Sequence, residues 1–168
     1  MAARDVRKNL NLFVDGRGYA GQIEDFNAPK LTLTTEEFRG GGMNAPIDLT
    51  TGHEKLVTDF QLISYDKDVL ALWGVTEGNQ IPFVAREALE SFDGTVTPVV
   101  HTMRGKITEI DPQTSKAGEV PRLKVTMSLV YYKLQHGQNT IHEIDVENMI
   151  QVINGVDVLQ SIRSALGM

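Results

Sequence analysis

Hydrophobic and polar residues alternate along most of this chain with the two-residue period of half-buried strands. Leu10 to Val14 is a short alternating run, and Asp15-Gly16 with Arg17-Gly18 marks a hairpin, leading into a strand from Tyr19 to Phe26. After Asn27-Ala28-Pro29, Lys30 to Phe38 alternates again, with Leu31, Leu33 and Thr35 on one face and Thr32, Thr34 and Glu36 on the other. Its threonines favour strand over helix. Lys55 to Tyr65 predicts a long strand with Leu56, Thr58, Phe60 and Leu62 on the dry face and Lys55, Asp59 and Gln61 on the wet one. Ile81 to Glu90, Val96 to Ile110, Leu123 to Tyr131 and Ile141 to Val152 complete the strand-like runs, and a polar loop spans Gln113 to Pro121.

Two segments break this period. Asp66 caps a predicted helix with Val69, Leu70 and Trp73 on one side and Gly74 at its end, placed to plug one end of a sheet or barrel. Asp157 caps a second, whose Val158, Ile162 and Leu166 form a stripe ending at Gly167. Trp73 and Phe60 are assigned to the core. The sum is seven or eight strands and two short helices. Such long strands with one polar face call for closure or a neighbour, since open edges invite pairing.

Between the third and fourth strands lies Glu-Phe-Arg-Gly-Gly-Gly-Met-Asn-Ala-Pro-Ile, residues 37–47. Gly40, Gly41 and Gly42 lose too much backbone freedom on folding to sit inside a regular element, and Pro46 biases Ala45 toward extended backbone. Phe38, Arg39, Met43 and Asn44 supply apolar anchors and hydrogen-bonding heads. The expectation is a projecting loop over about 37–50 on a single domain spanning 1–168.

Composition narrows the function. The chain has 168 residues and no cysteine, which removes disulfides and thiolate metal sites and suits folding in the cytoplasm. No apolar run reaches the roughly 20 residues of a membrane span, and the start lacks a secretory apolar segment. With 16 Lys and Arg against 22 Asp and Glu, the net charge is -6, and no basic cluster offers a grip on phosphates.

Local motifs point away from chemistry. Gly16, Gly18 and Gly21 have dinucleotide-site spacing, but Asn27 and Pro29 arrive too early for the required helix. Gly40-Gly41-Gly42 lacks the Lys-Ser/Thr of a phosphate loop. His136 and His142 flank a turn without a third metal ligand. No nucleophile triad shows by spacing, and no catalytic residue, cofactor or metal is assigned.

Asn9 to Gly16, Ala28 to Leu31, Glu37 to Ile47, Gly52 to Leu56, Ile153 to Leu159 and Ile162 to Gly167 together resemble the major tail tube proteins of P2-like contractile-tailed bacteriophages, with similar tube proteins in R-type tailocins. The resemblance implies an antiparallel β-sandwich or barrel-like subunit flanked by a helix. Six copies form a ring whose inner sheets join into one barrel around a lumen, and rings stack inside a contractile sheath. The implied partners are further copies, the sheath, tape-measure, baseplate hub and tail terminator proteins. DNA passes without specific binding. Phe38, Arg39, Gly40, Gly41, Gly42, Met43, Asn44 and Pro46 are the expected inter-subunit contacts, and Lys55, Asp59, Gln61, Arg104 and Lys106 the candidate lumen residues. The implied location is the virion tail, with assembly in the host cytoplasm. A tube protein of another contractile injection system, carrying protein cargo, and a monomeric ligand-binding β-barrel are the alternatives.

Overall fold

The computed structural model describes residues 3–168, so the first two residues of the expected domain lie outside the described residues. Its strands are β1 (Val6–Val14), β2 (Arg17–Gly18), β3 (Ile23–Asn27), β4 (Leu33–Phe38), β5 (Ile47–His53) and β6 (Val57–Leu62). They continue with β7 (Ile81–Glu90), β8 (Val96–Asp111), β9 (Leu123–His136), β10 (Asn139–Asp145), β11 (Ile150–Ile153) and β12 (Val156–Asp157). Helices α1 (Lys67–Leu70) and α2 (Gln160–Leu166) are short. The fold is mostly β, and every strand pair is antiparallel.

Two long strands, β8 and β9, carry the architecture. The first half of β8 pairs with β7 and with the second half of β9, in a layer that runs β12-β11-β10-β9-β8-β7-β1-β2. The second half of β8 pairs with the first half of β9, which in turn pairs with β6 and so reaches β3. The ladder is irregular at Arg104/Gly105 and again at Ile107/Glu109, the kind of bulge that bends a strand out of one sheet into another. Gly105 sits at the bend, where an added Cβ would lie 2.0 Å from the Ser128 carbonyl oxygen, so only glycine lets the two backbones approach.

The two layers face each other across one apolar core. Phe60 of β6 stacks on Phe83 of β7 at 5.0 Å between ring centres, and Phe26 of β3 tilts against Phe83 at 6.1 Å. Leu12, Leu56, Leu62, Met103, Leu123, Val125 and Met127 fill the space around them, all fully buried. The alternation in β6 and β9 therefore works as its period requires. Helix α1 closes one end through Val69, with Asp66 Oδ1 accepting from the N–H groups of Asp68 and Val69.

Several expected elements differ. Tyr19 to Gln22 is turn, so that strand starts only at Ile23. Ile141 to Val152 is two strands, because the residues from Val146 to Met149 turn the chain, with Met149 at φ 52°. The N-cap of α2 is Leu159, two residues after the expected Asp157. Asp157 instead accepts from the Leu159 N–H and pairs with Arg163. Trp73 lies outside the core, 58 % exposed, because α1 ends at Leu70; its indole N–H donates to the Thr108 carbonyl.

Candidate assembly surfaces

The stretch 37–50 is a hairpin with a short glycine tip, not one long loop. Among the described residues, strands β4 and β5 pair only with each other, with Phe38 opposite Ile47, Glu37 opposite Asp48, Glu36 opposite Leu49 and Thr35 opposite Thr50. Strand alternation places Phe38, Ile47, Leu49 and Glu36 on one face and Thr35, Glu37, Asp48 and Thr50 on the other. The apolar three are about half exposed, at 50 %, 49 % and 48 %. A two-stranded ribbon is marginal alone in water, and one with an uncovered apolar face lacks its packing partner.

The tip holds itself in shape. Arg39 Nε donates to the Met43 carbonyl at 3.1 Å, and the Met43 N–H donates to the Gly40 carbonyl at 3.2 Å. The Met43 sulfur accepts from the Gly40 N–H, and Gly42 takes φ 87°, where a side chain would be strained. Of the eight expected contact residues, the structure thus gathers Arg39, Gly40, Gly42 and Met43 into one knot. Phe38 belongs to the ribbon face, while Gly41, Asn44 and Pro46 lie along the exposed tip.

The second surface is the outward face of the large sheet. Cross-strand registers align Val84, Thr102, Lys133, Glu143 and Val152 in one row and Pro82, Arg104, Tyr131, Asp145 and Ile150 in the next. Arg104 lies over the Tyr131 ring, 4.9 Å from its centre, and 3.9 Å from Asp145. The Tyr131 hydroxyl donates to Glu143 Oε1 at 2.9 Å, and burial, followed by this carboxylate, pushes the phenol up to about 12. With Arg86 opposite Val100 and Asn11, the face carries both signs of charge in close alternation.

The five candidate lumen residues do not share one face. Arg104 stands in the large sheet and Lys106 just past the bend, where it pairs with Glu77. Asp59 and Gln61 lie on the outward side of β6 in the other layer, where Asp59 accepts from Asn27 Nδ2 at 2.7 Å and Gln61 from Gln113 Nε2 at 2.6 Å. Lys55 precedes β6 and rims, with Asp59, Lys30 and Glu54, an open cleft of about 1250 Å³ between the layers. The sequence reading did not single out Thr102, Tyr131, Lys133, Glu143 and Asp145, which the registers bring beside Arg104 on this face; their period-two spacing was visible, but the registers that line them up were not.

The cleft floor holds a buried polar chain. His101 Nδ1 is 3.0 Å from the Tyr132 hydroxyl and its Nε2 is 3.8 Å from Glu87, which also pairs with Arg7 at 3.2 Å. His136 lines the same cleft, while His142 lies with Leu56 and Ile144 in another depression. Among the described residues, no three His, Cys, Asp or Glu side chains converge to hold a metal ion.

A bent antiparallel sandwich, an uncovered amphipathic hairpin and a broad polar sheet face define a subunit built to join others. The comparisons with known proteins agree. The family profile described as phage tail tube protein FII matches residues 5–167, and this chain belongs to that family. It is 33 % identical over 172 residues to the tail tube protein of Escherichia phage P2, covering all of both chains. The major tail tube protein of Serratia phage KSP20 is 30 % identical over 177 residues, with 100 % of this chain and 99 % of the relative covered. The fold is similar to two chains of the extracellular contractile injection system PVC in its extended state. One is from the sheath/tube terminator (TM-score 0.57, 10 % identity, 76 % of this chain and 93 % of that chain). The other is from the sheath-tube complex (TM-score 0.57, 10 % identity, 76 % and 88 %).

Proposed function

We propose that six copies of this tail tube protein close into a ring, and that rings stack into the inner tube of a contractile tail. The observation that carries the reading is the β4–β5 hairpin, an amphipathic ribbon whose apolar face the described residues leave uncovered. A second copy covers it, and because the contact joins different surfaces of the two copies, it propagates where it does not close. The outward face of the large sheet lines the lumen, so Arg104 belongs to the wall and Lys106 to its bend. The contractile sheath encloses the tube, and the baseplate hub and tail terminator proteins meet its two ends. Assembly takes place in the host cytoplasm, and the product is part of the virion tail.

The lumen holds the tape-measure protein during assembly and passes DNA during infection. Alternating Arg, Lys, Glu and Asp on the wall, with a chain charge of -6, give phosphates no run of cations to release counterions against. Transit is therefore free of specific binding. The protein acts by shape, with no catalytic step. The fold likeness to the PVC chains favours one second reading, a tube of a contractile injection system carrying protein cargo. Gene neighbours separate the two readings: capsid and terminase genes next to this one would select the phage reading, and their absence the injection system.

Deleting Gly40 to Gly42 tests the role of the hairpin tip. The variant is expected to keep the circular dichroism and melting curve of a folded subunit and to form no tubes by negative-stain electron microscopy. Tubes of normal length from that variant would contradict the assignment.

A further inference from the structure

The carboxylate of Glu87 stands between two basic side chains. Its Oε2 is 3.2 Å from Arg7 Nη2 and 3.8 Å from His101 Nε2, the first within hydrogen-bond reach and the second beyond it. The two neighbours differ in what becomes of them without it. The Arg7 side chain is 59 % exposed and is solvated wherever it swings, whereas the His101 side chain is 7 % exposed and stays where it is. Among the described residues Arg7 forms no other ion pair to move to.

His101 is held from its other sides as well. Its Nδ1 is 3.0 Å from the Tyr132 hydroxyl on β9, and burial, with Glu87 adding to it, pushes that phenol up to about 12, so the hydroxyl keeps its proton. Phe26 of β3 closes over the imidazole, 5.3 Å between ring centres. The rest of the cleft brings Asp5, Lys30, Glu54, Lys55, Asp59 and a second histidine, His136.

A neutral imidazole has one N–H, and a protonated one has two. In the protonated ring Nδ1 donates to the Tyr132 oxygen while Nε2 presents a charged donor to Glu87. Two cations around one carboxylate repel each other. Burial above all lowers the affinity of His101 for its proton, Glu87 raises it, and Arg7 lowers it again. This last coupling is reciprocal, so a proton on His101 weakens the hold of Glu87 on Arg7 by the same factor. The solvent-facing member of the pair yields.

Arg7 anchors a weakly attached end. Val6, Arg7 and Lys8 open β1, all three are exposed, and the ladder to β7 is irregular between Arg7 and Asn9. Before that irregularity the strand has two ladder positions, Val6 opposite Glu90 and Arg7 opposite Leu89, with the Phe92 N–H donating to the Ala3 carbonyl. The Lys8–Glu90 pair at 3.5 Å is between exposed side chains and contributes little. The contact of Arg7 with Glu87 ties this end to a buried group.

We propose that Glu87 is an acid-sensitive latch on the start of β1: with His101 neutral it holds Arg7 over the cleft, and with His101 protonated it turns to the imidazolium and lets residues 6–8 swing away. The device belongs to the single subunit, so it goes beyond the tube reading and does not rest on it. It acts on the acid side of about 6.5, because burial makes the folded chain take up this proton later than a free histidine does.

Because the chain has no cysteine, a nitroxide spin label on Val6→Cys reports the mobility of this end at a single site. In the full chain the mobile fraction of the spectrum is expected to rise about fivefold between about pH 7.5 and about pH 5, while far-ultraviolet circular dichroism stays unchanged. His101→Gln, which stays neutral, is expected to remove the rise, and Glu87→Gln to give the mobile spectrum at both pH values. His136→Gln is expected to keep the rise, and its loss there overturns the assignment to His101. A spectrum unchanged by pH, the same rise in His101→Gln, or a rise only where the circular dichroism signal is also lost overturns the latch. Where the buried variants do not fold, Arg7→Gln on the exposed partner decides. By the reciprocal coupling it is expected to raise the His101 titration midpoint, followed by nuclear magnetic resonance of its ring protons, by about half a pH unit, roughly threefold in proton affinity. An unchanged or lower midpoint overturns the proposal.

Discussion

His101 is the residue whose chemistry most directly links the core to solution conditions. It reaches from β8 into a chain of Glu87 on β7, Arg7 on β1 and Tyr132 on β9, with the edge of Phe26 from β3 at 5.3 Å. Burial lowers its pKa below the ordinary histidine value, and Glu87 only partly offsets this. Above the unfolded value both states are neutral at this site and stability is complete. As pH falls below about 6.5, the unfolded chain takes up the proton first, so stability drops toward the lower folded pKa. Thermal melts from about pH 7.5 to about pH 5 are expected to show a falling Tm that His101→Asn flattens. An identical pH slope in that variant would contradict the assignment. None of this chain was legible in the sequence, because Arg7, Glu87, His101 and Tyr132 are far apart in it and meet only through strand register. Phe60 was legible as core from alternation alone. Trp73 was not, since its fit to a helical stripe assumed a helix longer than the one that forms.

At the scale of elements, the bend shared by β8 and β9 decides how one ribbon serves two layers. Gly105→Ala places a methyl group within contact distance of the Ser128 carbonyl and 2.9 Å from the Leu129 Cα, both backbone atoms that cannot step aside without moving a strand. The expected cost is about 3 kcal/mol, read as a Tm lower by roughly 10 °C. A wild-type melting curve would show that the bend tolerates a side chain. The strands themselves were readable from their period, as was the Asp66 cap of α1. Their ends and partners were not: alternation is the same in β10 and β11, and nothing in it marks the turn at Val146 to Met149 that separates them. The hairpin shows the same limit. Three glycines announced a break, whereas the ribbon on either side, with its dry and wet faces, became clear only once Phe38 stood opposite Ile47.

At the scale of the molecule, the unsatisfied features converge on assembly. Among the described residues the apolar face of the hairpin is uncovered, and Val158 just before α2, with Ile162 and Leu166 on it, is half exposed or close to it. A chain that ended its folding here would leave these surfaces to uncontrolled association, and a ring gives them defined partners. The sequence carried this much in outline, through long one-faced strands and its family motifs. It did not carry which polar residues share one broad face, because that depends on five strands lying in register. Electron cryomicroscopy of the purified protein and of particles containing it tests the central claim most directly. The prediction is stacked six-fold rings around an open channel, with Thr102, Arg104 and Lys133 on its wall. Dispersed 18.6 kDa monomers under every condition, with no ring or tube in any image, would contradict it.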